Sequence, residues 1–253
     1  MNRKKHAKIK AGDVFFNTRG EEIVVLQYDN CNNVIVQFQD SFGYTKTTNS
    51  AYLREGWVKN PYFRSVYGVG YFGVGDFKSR RGHENEVLYN RWRHMLYRAY
   101  SDEYKSKNPT YENITVCEDW LNLQNFAKWY SNQPNAGRRG FDLDKDLIVL
   151  GNKEYGPEVC SFVPCQINSL LNDCGRASGK LPRGVCVNNK GFSAQVSING
   201  ERKRFGTYKT PEEAHEVYKM EKEKQVKIVA ERYKSELHPK VYENLMDWRV
   251  CSG

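Results

Sequence analysis

Residues 141–171 read FDLDKDLIVLGNKEYGPEVCSFVPCQINSLL, and this stretch decides the fold of the chain's centre. Its apolar runs and turn residues predict a strand ending at Asp144, a loop at residues 151–153, a second strand around Phe162, and a helix that Asn168 opens. Carboxylate and amide oxygens are the ligands that hard divalent cations prefer. Asp144 and Asn168 therefore predict a shared site for one such ion.

The stretch resembles the ββα-metal core of HNH homing endonucleases, especially the phage intron-encoded branch, whose pattern runs roughly VDH, GNK, an aromatic strand and QxIN. The matching residues here are Asp144, Gly151, Asn152, Lys153, Phe162, Gln166, Ile167 and Asn168. The resemblance implies a DNA endonuclease, a hydrolase that cuts phosphodiester bonds in duplex DNA with one Mg²⁺ or Mn²⁺ held by Asp144 and Asn168. It departs at one position, where the family's histidine is replaced by Lys145.

The departure at position 145 bears directly on catalysis. Phosphodiester hydrolysis needs an activated water, charge relief at the phosphoryl oxygens and help for the leaving oxygen. In the family the histidine takes the water's proton, whereas a lysine flanked by Asp144 and Asp146 is expected to stay protonated. The implied catalytic set is Asp144, Lys145 and Asn168, with the general base left open.

Three explanations of the missing histidine stay open. In the first, Lys145 acts as a cation that orients the water or steadies the phosphate, while bulk hydroxide, Asp142 or Asp146 relays the proton. In the second, His83 or His94 supplies the base from elsewhere in the fold. In the third, the site is inactive and the protein is a DNA-binding regulator.

Composition limits the class of protein. The chain has 253 residues, of which 39% are hydrophobic and 27% charged, which predicts two or three small domains. The strand and helix patterns along it predict an α+β fold class. No apolar run has the length of a membrane helix, and no apolar core follows the basic start, so a cytoplasmic protein is expected, in a bacterial host if phage-encoded. Seven scattered cysteines contain no CxxC pair, so neither zinc nor disulfides are predicted.

The net charge of +9 indicates a polyanionic partner. Basic residues concentrate in three segments: five against no acidic residue in 1–10, six against two in 78–98, and eight against one in 176–209. Such clustering beside glycine and strand signals favours double-stranded DNA as the partner, bound by a monomer. No membrane partner is expected.

Two segments precede the nuclease-like core. Residues 1–62 comprise a basic arm and short β runs with turn signals about ten residues apart, which predict a small β-barrel that binds nucleic acid or docks a protein partner. Residues 63–83 interleave glycine with aromatic side chains and are predicted to be a linker, lying along a nucleic-acid backbone or packing on a neighbouring domain. The sequence does not choose between these roles.

The predicted HNH-like core covers residues 84–171. Apolar residues at helical spacing predict an amphipathic helix over 84–101 with Val87, Leu88 and Trp92 on its apolar face, and a second helix over 117–130. The run WxxMLYRAY in the first helix resembles the helical preamble of a set of phage HNH proteins. Both helices are expected to pack on the ββα unit.

A predicted hinge at 172–181 separates the core from a C-terminal module at 182–253. The turns NNKG and NG predict a three-stranded antiparallel sheet, and Thr210, Pro211 and Glu213 predict the capped start of a helix that covers one face. Ala214, Val217 and Tyr218 are the inward residues of this helix. Period-two alternation assigns Phe192, Ala194, Val196 and Ile198 to the covered face and Ser193, Gln195 and Ser197 to the open face.

The run RGV, FxAxV, FGTY and TPEEAxxxY resembles the Apetala-type, or ethylene-response-factor, DNA-binding domain, in which the sheet lies in the major groove. That resemblance implies DNA contacts by Arg183, Lys190, Gln195, Ser197, Arg202, Lys203 and Arg204. The chain departs from the family at Cys186, where the family has arginine, and at Arg204, where it has tryptophan. No base preference is therefore transferred.

Overall fold

The computed structural model describes residues 8–78, 86–172, 181–198 and 200–250. The chain is a mixed α+β protein with two compact units, Met1–Asp76 and Phe77–Gly253. Among the described helices, none combines the length and apolar composition needed to cross a membrane.

The first unit contains an antiparallel meander. Its elements are β1 (Val14–Phe16), β2 (Glu22–Asn30), β3 (Asn33–Phe38), β4 (Thr45–Thr48) and α1 (Ser50–Arg54). The strands pair in the order β1-β2-β3-β4, and side chains such as Ile23, Val36 and Phe38 form the core on one face.

The predicted closure of this unit into a barrel is wrong. In the described residues β1 and β4 are the two edges of an open sheet and do not pair with each other. Closing a barrel requires the first and last strands to meet in staggered register, and these strands have only three and four residues. Leu53 of α1 and Val58 join the core instead, so a helix and a loop cover apolar side chains without closure.

The second unit begins with helices and the ββα segment. Its elements are α2 (Glu86–Tyr100), α3 (Asp102–Lys107), a 3₁₀ turn (Pro109–Tyr111), β5 (Thr115–Val116), α4 (Glu118–Leu121), α5 (Leu123–Ser131), β6 (Phe141–Asp144), β7 (Glu154–Tyr155), β8 (Ser161–Pro164) and α6 (Cys165–Asn172). It continues with β9 (Val185–Asn188), β10 (Gly191–Ile198), β11 (Glu201–Tyr208), α7 (Pro211–Arg232), a second 3₁₀ turn (Lys234–Glu236) and α8 (Pro239–Met246).

The predicted order strand, loop, strand, helix over residues 141–171 is confirmed, although the helix begins at Cys165 and not at the predicted Asn168. Strand β6 pairs antiparallel with β8, with Asp144 opposite Ser161, and α6 follows β8 directly. The loop between the strands contributes β7, which pairs in parallel with β5. The ββα unit is therefore tied by backbone pairing to the helical segment before it.

The helices before the ββα unit follow the predicted apolar pattern with two differences. In α2, Leu88 and Trp92 are buried and the Trp92 indole donates to the Trp120 carbonyl at 2.7 Å, but Val87 is half exposed. The second predicted helix is divided into α4 and α5. The division lies at Asn122, whose side chain accepts from the Gln124 N–H at 2.9 Å and caps α5.

The C-terminal sheet has the strand order β11-β10-β9, and α7 packs against it. The predicted capping box is confirmed: the Thr210 hydroxyl accepts from the Glu213 N–H, and the Glu213 carboxylate accepts from the Thr210 N–H. Ala214 and Tyr218 are buried beneath the sheet, as predicted. The module therefore has one covered and one open face.

Helix α7 belongs to two cores. Its first half packs on the sheet, whereas Val226 and Val229 in its second half join Val163 and Ile167 of the ββα unit. Helix α8 adds Leu245 to the same cluster. Most of the predicted hinge lies outside the described residues, so its boundaries stay predictions, but the long helix directly links the sheet to the ββα unit.

Candidate active site and nucleic-acid interface

A small polar cavity lies at the end of β6. Its volume is about 130 Å³, and it is lined by Arg98, Tyr111, Leu143, Asp144, Lys145, Asp146, Tyr155, Asn168 and Leu171. All three residues of the predicted catalytic set line this cavity. They meet because β6 and β8 pair and because α6 begins directly where β8 ends.

Asp144 is a half-buried carboxylate that backbone hydrogen bonds hold in place. Its Oδ1 accepts hydrogen bonds from the backbone N–H groups of Asp146 at 3.0 Å and Leu147 at 2.9 Å, which orient the side chain. Burial, followed by the negative charge of Asp146, raises the pKa of Asp144 to about 6. A nearby divalent cation would favour the ionised carboxylate and oppose this shift.

Asn168 supplies a second oxygen donor to the cavity. Its neighbour Ile167 is buried in the core beneath α6, and in the described part of the chain the Asn168 side chain makes no hydrogen bond. One carboxylate and one amide fit a hard ion such as Mg²⁺ or Mn²⁺, with the remaining coordination positions taken by water and phosphate. The described residues contain no cluster of three or more His, Cys, Asp or Glu side chains suited to a metal.

Lys145 is held by a network that joins β6 to the GNK loop. The lysine is only 8% exposed, and its Nζ donates to Asp146 Oδ2 at 3.0 Å and to the Asn152 carbonyl at 3.1 Å. In return, the Asn152 amide donates to the Lys145 carbonyl at 2.7 Å and to the Glu154 carbonyl at 2.6 Å. These contacts hold the Lys145 side chain against the end of β6 and the GNK loop.

Other predicted proton acceptors are less well placed. Asp142 pairs with Arg91 and accepts from the Cys165 thiol at 3.0 Å; burial raises the pKa of Asp142, but these hydrogen bonds outweigh it and lower the pKa overall. His94 is exposed on α2 and does not line the cavity, and His83 lies outside the described residues. Of the proposed relays, only Asp146 reaches the cavity wall.

Arg98 is a site residue that the sequence did not reveal. It extends from α2 into the cavity, its Cζ lies 5.6 Å from the centroid of the Tyr155 ring, and its buried Nε has no hydrogen-bond partner in the described residues. Arg98 belongs to the basic segment 78–98 and lies next to the buried Ala99 of α2. That position carried no signal that Arg98 would line the same cavity as Asp144, because this arrangement depends on tertiary packing.

The open face of the C-terminal sheet gathers four of the predicted DNA-contacting residues. Gln195 lies opposite Arg204, and Ser197 lies opposite Arg202. Residues directly opposite on antiparallel strands share a face, so these two pairs form adjacent rows, with both arginines exposed. Lys203 lies opposite the buried Val196 and therefore belongs to the face that carries α7.

The remaining predicted contacts lie around this face. Lys190 is exposed in the turn between β9 and β10, and Arg183 is half-buried before β9, with its carbonyl 2.8 Å from His215 Nδ1. Ser193 lies at a bulge and is only 1% exposed, because the side chains of Cys186 and Asn188 cover it. Ser193 was predicted on the open face, and these neighbouring side chains leave it almost no exposure there.

Comparison with known proteins gave no match among protein-family models, curated proteins or solved structures. The resemblances to HNH endonucleases and Apetala-type domains therefore stay hypotheses carried by the residues described above.

Proposed function

We propose that the chain is a DNA endonuclease of the HNH type, which hydrolyses phosphodiester bonds in duplex DNA with one divalent ion. The observation that carries the proposal is the meeting of Asp144, from β6, and Asn168, from α6, on the wall of one cavity. A carboxylate from the first strand and an amide from the helix are the pair that the ββα-metal pattern implies.

Asp144 and Asn168 would hold Mg²⁺ or Mn²⁺ through side-chain oxygens. The ion would supply charge neutralisation at the phosphate and at the leaving oxygen. Backbone N–H groups occupy Asp144 Oδ1, so Oδ2 is the oxygen left for the ion. Lys145 holds the wall of the cavity in place. The attacking water would lose its proton to bulk solvent or to Asp146, because no histidine is found among the described lining residues.

The open sheet face would bind the DNA near this site. Arginine pairs with guanine and glutamine with adenine through two hydrogen bonds each, so the Gln195–Arg204 and Ser197–Arg202 rows provide both base-reading and phosphate-binding groups. Because α7 packs on the sheet and also on the ββα unit, DNA held by the sheet is kept near the cavity.

A plasmid assay tests the proposal. Supercoiled plasmid incubated with the protein and Mg²⁺ or Mn²⁺ should be nicked or linearised. Asp144→Asn and Asn168→Ala should abolish this, whereas Asp247→Asn, which changes an exposed carboxylate outside the cavity, should leave it intact. A wild-type protein that retards DNA on a gel but leaves the plasmid intact with both ions would overturn the proposal.

A DNA-binding regulator without nuclease activity is the second candidate. The observation that favours it is Lys145, which stands where the family has histidine and is committed to Asp146 and Asn152. The same experiment separates the two functions, because the regulator binds DNA without cutting it. Calorimetry would then show no binding of either ion at the cavity.

A further inference from the structure

We propose that Arg98 is the phosphate-binding residue of the cavity and donates hydrogen bonds to a non-bridging oxygen of the phosphodiester. The inference rests on the proposed function for the identity of the substrate. The binding of a phosphate anion by Arg98 is a separate property, which can be measured without any cleavage.

The first observation is an unsatisfied donor. A guanidinium group carries five N–H donors and keeps its charge in proteins. The Nε of Arg98 is buried and has no hydrogen-bond partner in the described part of the chain. Leaving a buried charged donor unpaired is costly, and such an atom on the wall of a cavity indicates a ligand that completes its hydrogen bonds.

The second observation is that nearby carboxylates are committed elsewhere. Asp142 pairs with Arg91 and Cys165, and Asp146 pairs with Lys145. Asp144 directs one oxygen to two backbone N–H groups. Within the described residues Arg98 makes no ion pair, although it lines the same cavity as two of these carboxylates. Asp142 attracts the Arg98 charge without forming an ion pair with it, so the guanidinium is left to bind an anion from outside the protein.

The third observation is the rigid placement of the guanidinium. Met95 and Ala99, on the same helix, are fully buried, and the Arg98 Cζ lies over the ring of Tyr155, which is 1% exposed. Burial raises the pKa of Tyr155 well above its ordinary value, so the phenol stays neutral and does not neutralise the arginine. A guanidinium stacked on an aromatic ring keeps its N–H edge free for a ligand.

The size of the cavity also suits an anion. The cavity volume of about 130 Å³ gives room for a tetrahedral anion and its neighbours.

Thermal unfolding with inorganic phosphate, in EDTA and without DNA, tests the inference. Phosphate should raise the melting temperature of the wild type, and Arg98→Gln should bind it about ten- to hundredfold more weakly, since a charged hydrogen-bonding partner is lost. Arg98→Lys should recover part of that affinity. Arg93→Gln, on an exposed arginine of the same helix, is the matched control and should bind as the wild type does.

A second readout separates ligand binding from a structural role. Without phosphate, Arg98→Gln should be about as stable as the wild type, because it removes a buried unsatisfied Nε donor while losing the contact with the Tyr155 ring. Phosphate bound at the open sheet face should raise the melting temperatures of both proteins equally. Unchanged phosphate affinity in Arg98→Gln would overturn the inference, and so would a lower melting temperature combined with normal affinity.

The plasmid assay keeps the two proposals apart. Arg98→Gln should reduce the cleavage rate while leaving DNA retardation on a gel unchanged. Cleavage at the wild-type rate by Arg98→Gln would overturn the role of Arg98 and leave the endonuclease standing. Phosphate stabilisation that depends on Arg98 in a wild type that never cuts DNA would support the anion site and overturn the endonuclease.

Discussion

The ammonium group of Lys145 lies 3.0 Å from Asp146 Oδ2, next to the carboxylate that is proposed to bind metal. The same nitrogen donates to the Asn152 carbonyl, so the lysine joins the end of β6 to the GNK loop. A residue in this position shapes the cavity wall and balances the negative charge of Asp146, one of the two aspartates in that wall. A lysine at this position therefore keeps the end of β6 and the GNK loop together.

Lys145→His is expected to raise the rate of plasmid cleavage. An imidazole at this position would supply a general base, a contribution of about 10²-fold or more. The variant should also lose about 1–3 kcal/mol of stability, because the hydrogen bonds to Asp146 and Asn152 are removed. Lys145→Met is the matched control and should lose similar stability without gaining activity. Intact ion binding without any rate increase in Lys145→His would contradict the prediction.

Asp144 should make the protein less stable as the pH rises. Its pKa is about 6 in the folded chain against an ordinary value of 3.8, so the folded state binds the proton more tightly. The free energy of unfolding therefore falls between about pH 4 and pH 6 and stays lower above that range. Asp144→Asn removes the effect and should be more stable than the wild type at pH 7, by at most about 3 kcal/mol. Denaturant unfolding at pH 5 and pH 7 measures this, and an equal pH response in both proteins would disprove it.

Metal binding should reverse this pH response. Mg²⁺ or Mn²⁺ binds the ionised form of Asp144, so either ion should stabilise the wild type more at pH 7 than at pH 5. Asp144→Asn and Asn168→Ala should show little stabilisation at either pH. Melting temperatures with and without each ion provide the measurement. Equal stabilisation of wild type and Asp144→Asn would place the ion elsewhere.

The alternation of side chains along β11 provides an internal control for DNA binding. Arg202→Gln and Arg204→Gln, on the open face, should each weaken binding and reduce the slope of log affinity against log salt by about one phosphate contact. Lys203→Gln removes the same charge from the face that carries α7 and should change the slope less. Fluorescence anisotropy with a labelled duplex over a range of salt concentrations measures all three variants. Equal losses of affinity in the three variants would mean that DNA binding depends only on net charge and not on the open face.

Local patterns predicted the ββα unit and the start of α7 because each depends on neighbouring residues. The strand ending at Asp144 follows from period-two burial, and the capping box at Thr210 follows from residues three apart in sequence. Asp144 and Asn168 could be paired in advance because the strand, loop, strand, helix order and the family resemblance both implied that they meet. Spacing alone does not bring two distant oxygens to one cavity.

Features that depend on tertiary contacts could not be predicted from the sequence. The position of Arg98 in the cavity depends on how α2 packs on the ββα unit. The open edge of the first sheet depends on Leu53 and Val58 filling its core. Ser193 has the alternation of an exposed residue, yet the bulge lets Asn188 cover it.

Gly184→Ala should destabilise the C-terminal sheet and weaken DNA binding together. Gly184 has a φ of +73°, and a Cβ there would lie 2.0 Å from the ring of Tyr218, so the variant should lose at least about 2 kcal/mol of stability. Gly200→Ala is the matched control, because its φ of +85° imposes similar backbone strain but no atom lies within 4 Å of the added Cβ.

Tyr218 and Val229 belong to the same helix, so denaturation of Gly184→Ala should remain one cooperative transition for the sheet and the ββα unit. Equal destabilisation by the two variants would show that Tyr218 adjusts to the added methyl, and two separate transitions would show that α7 does not couple the two cores.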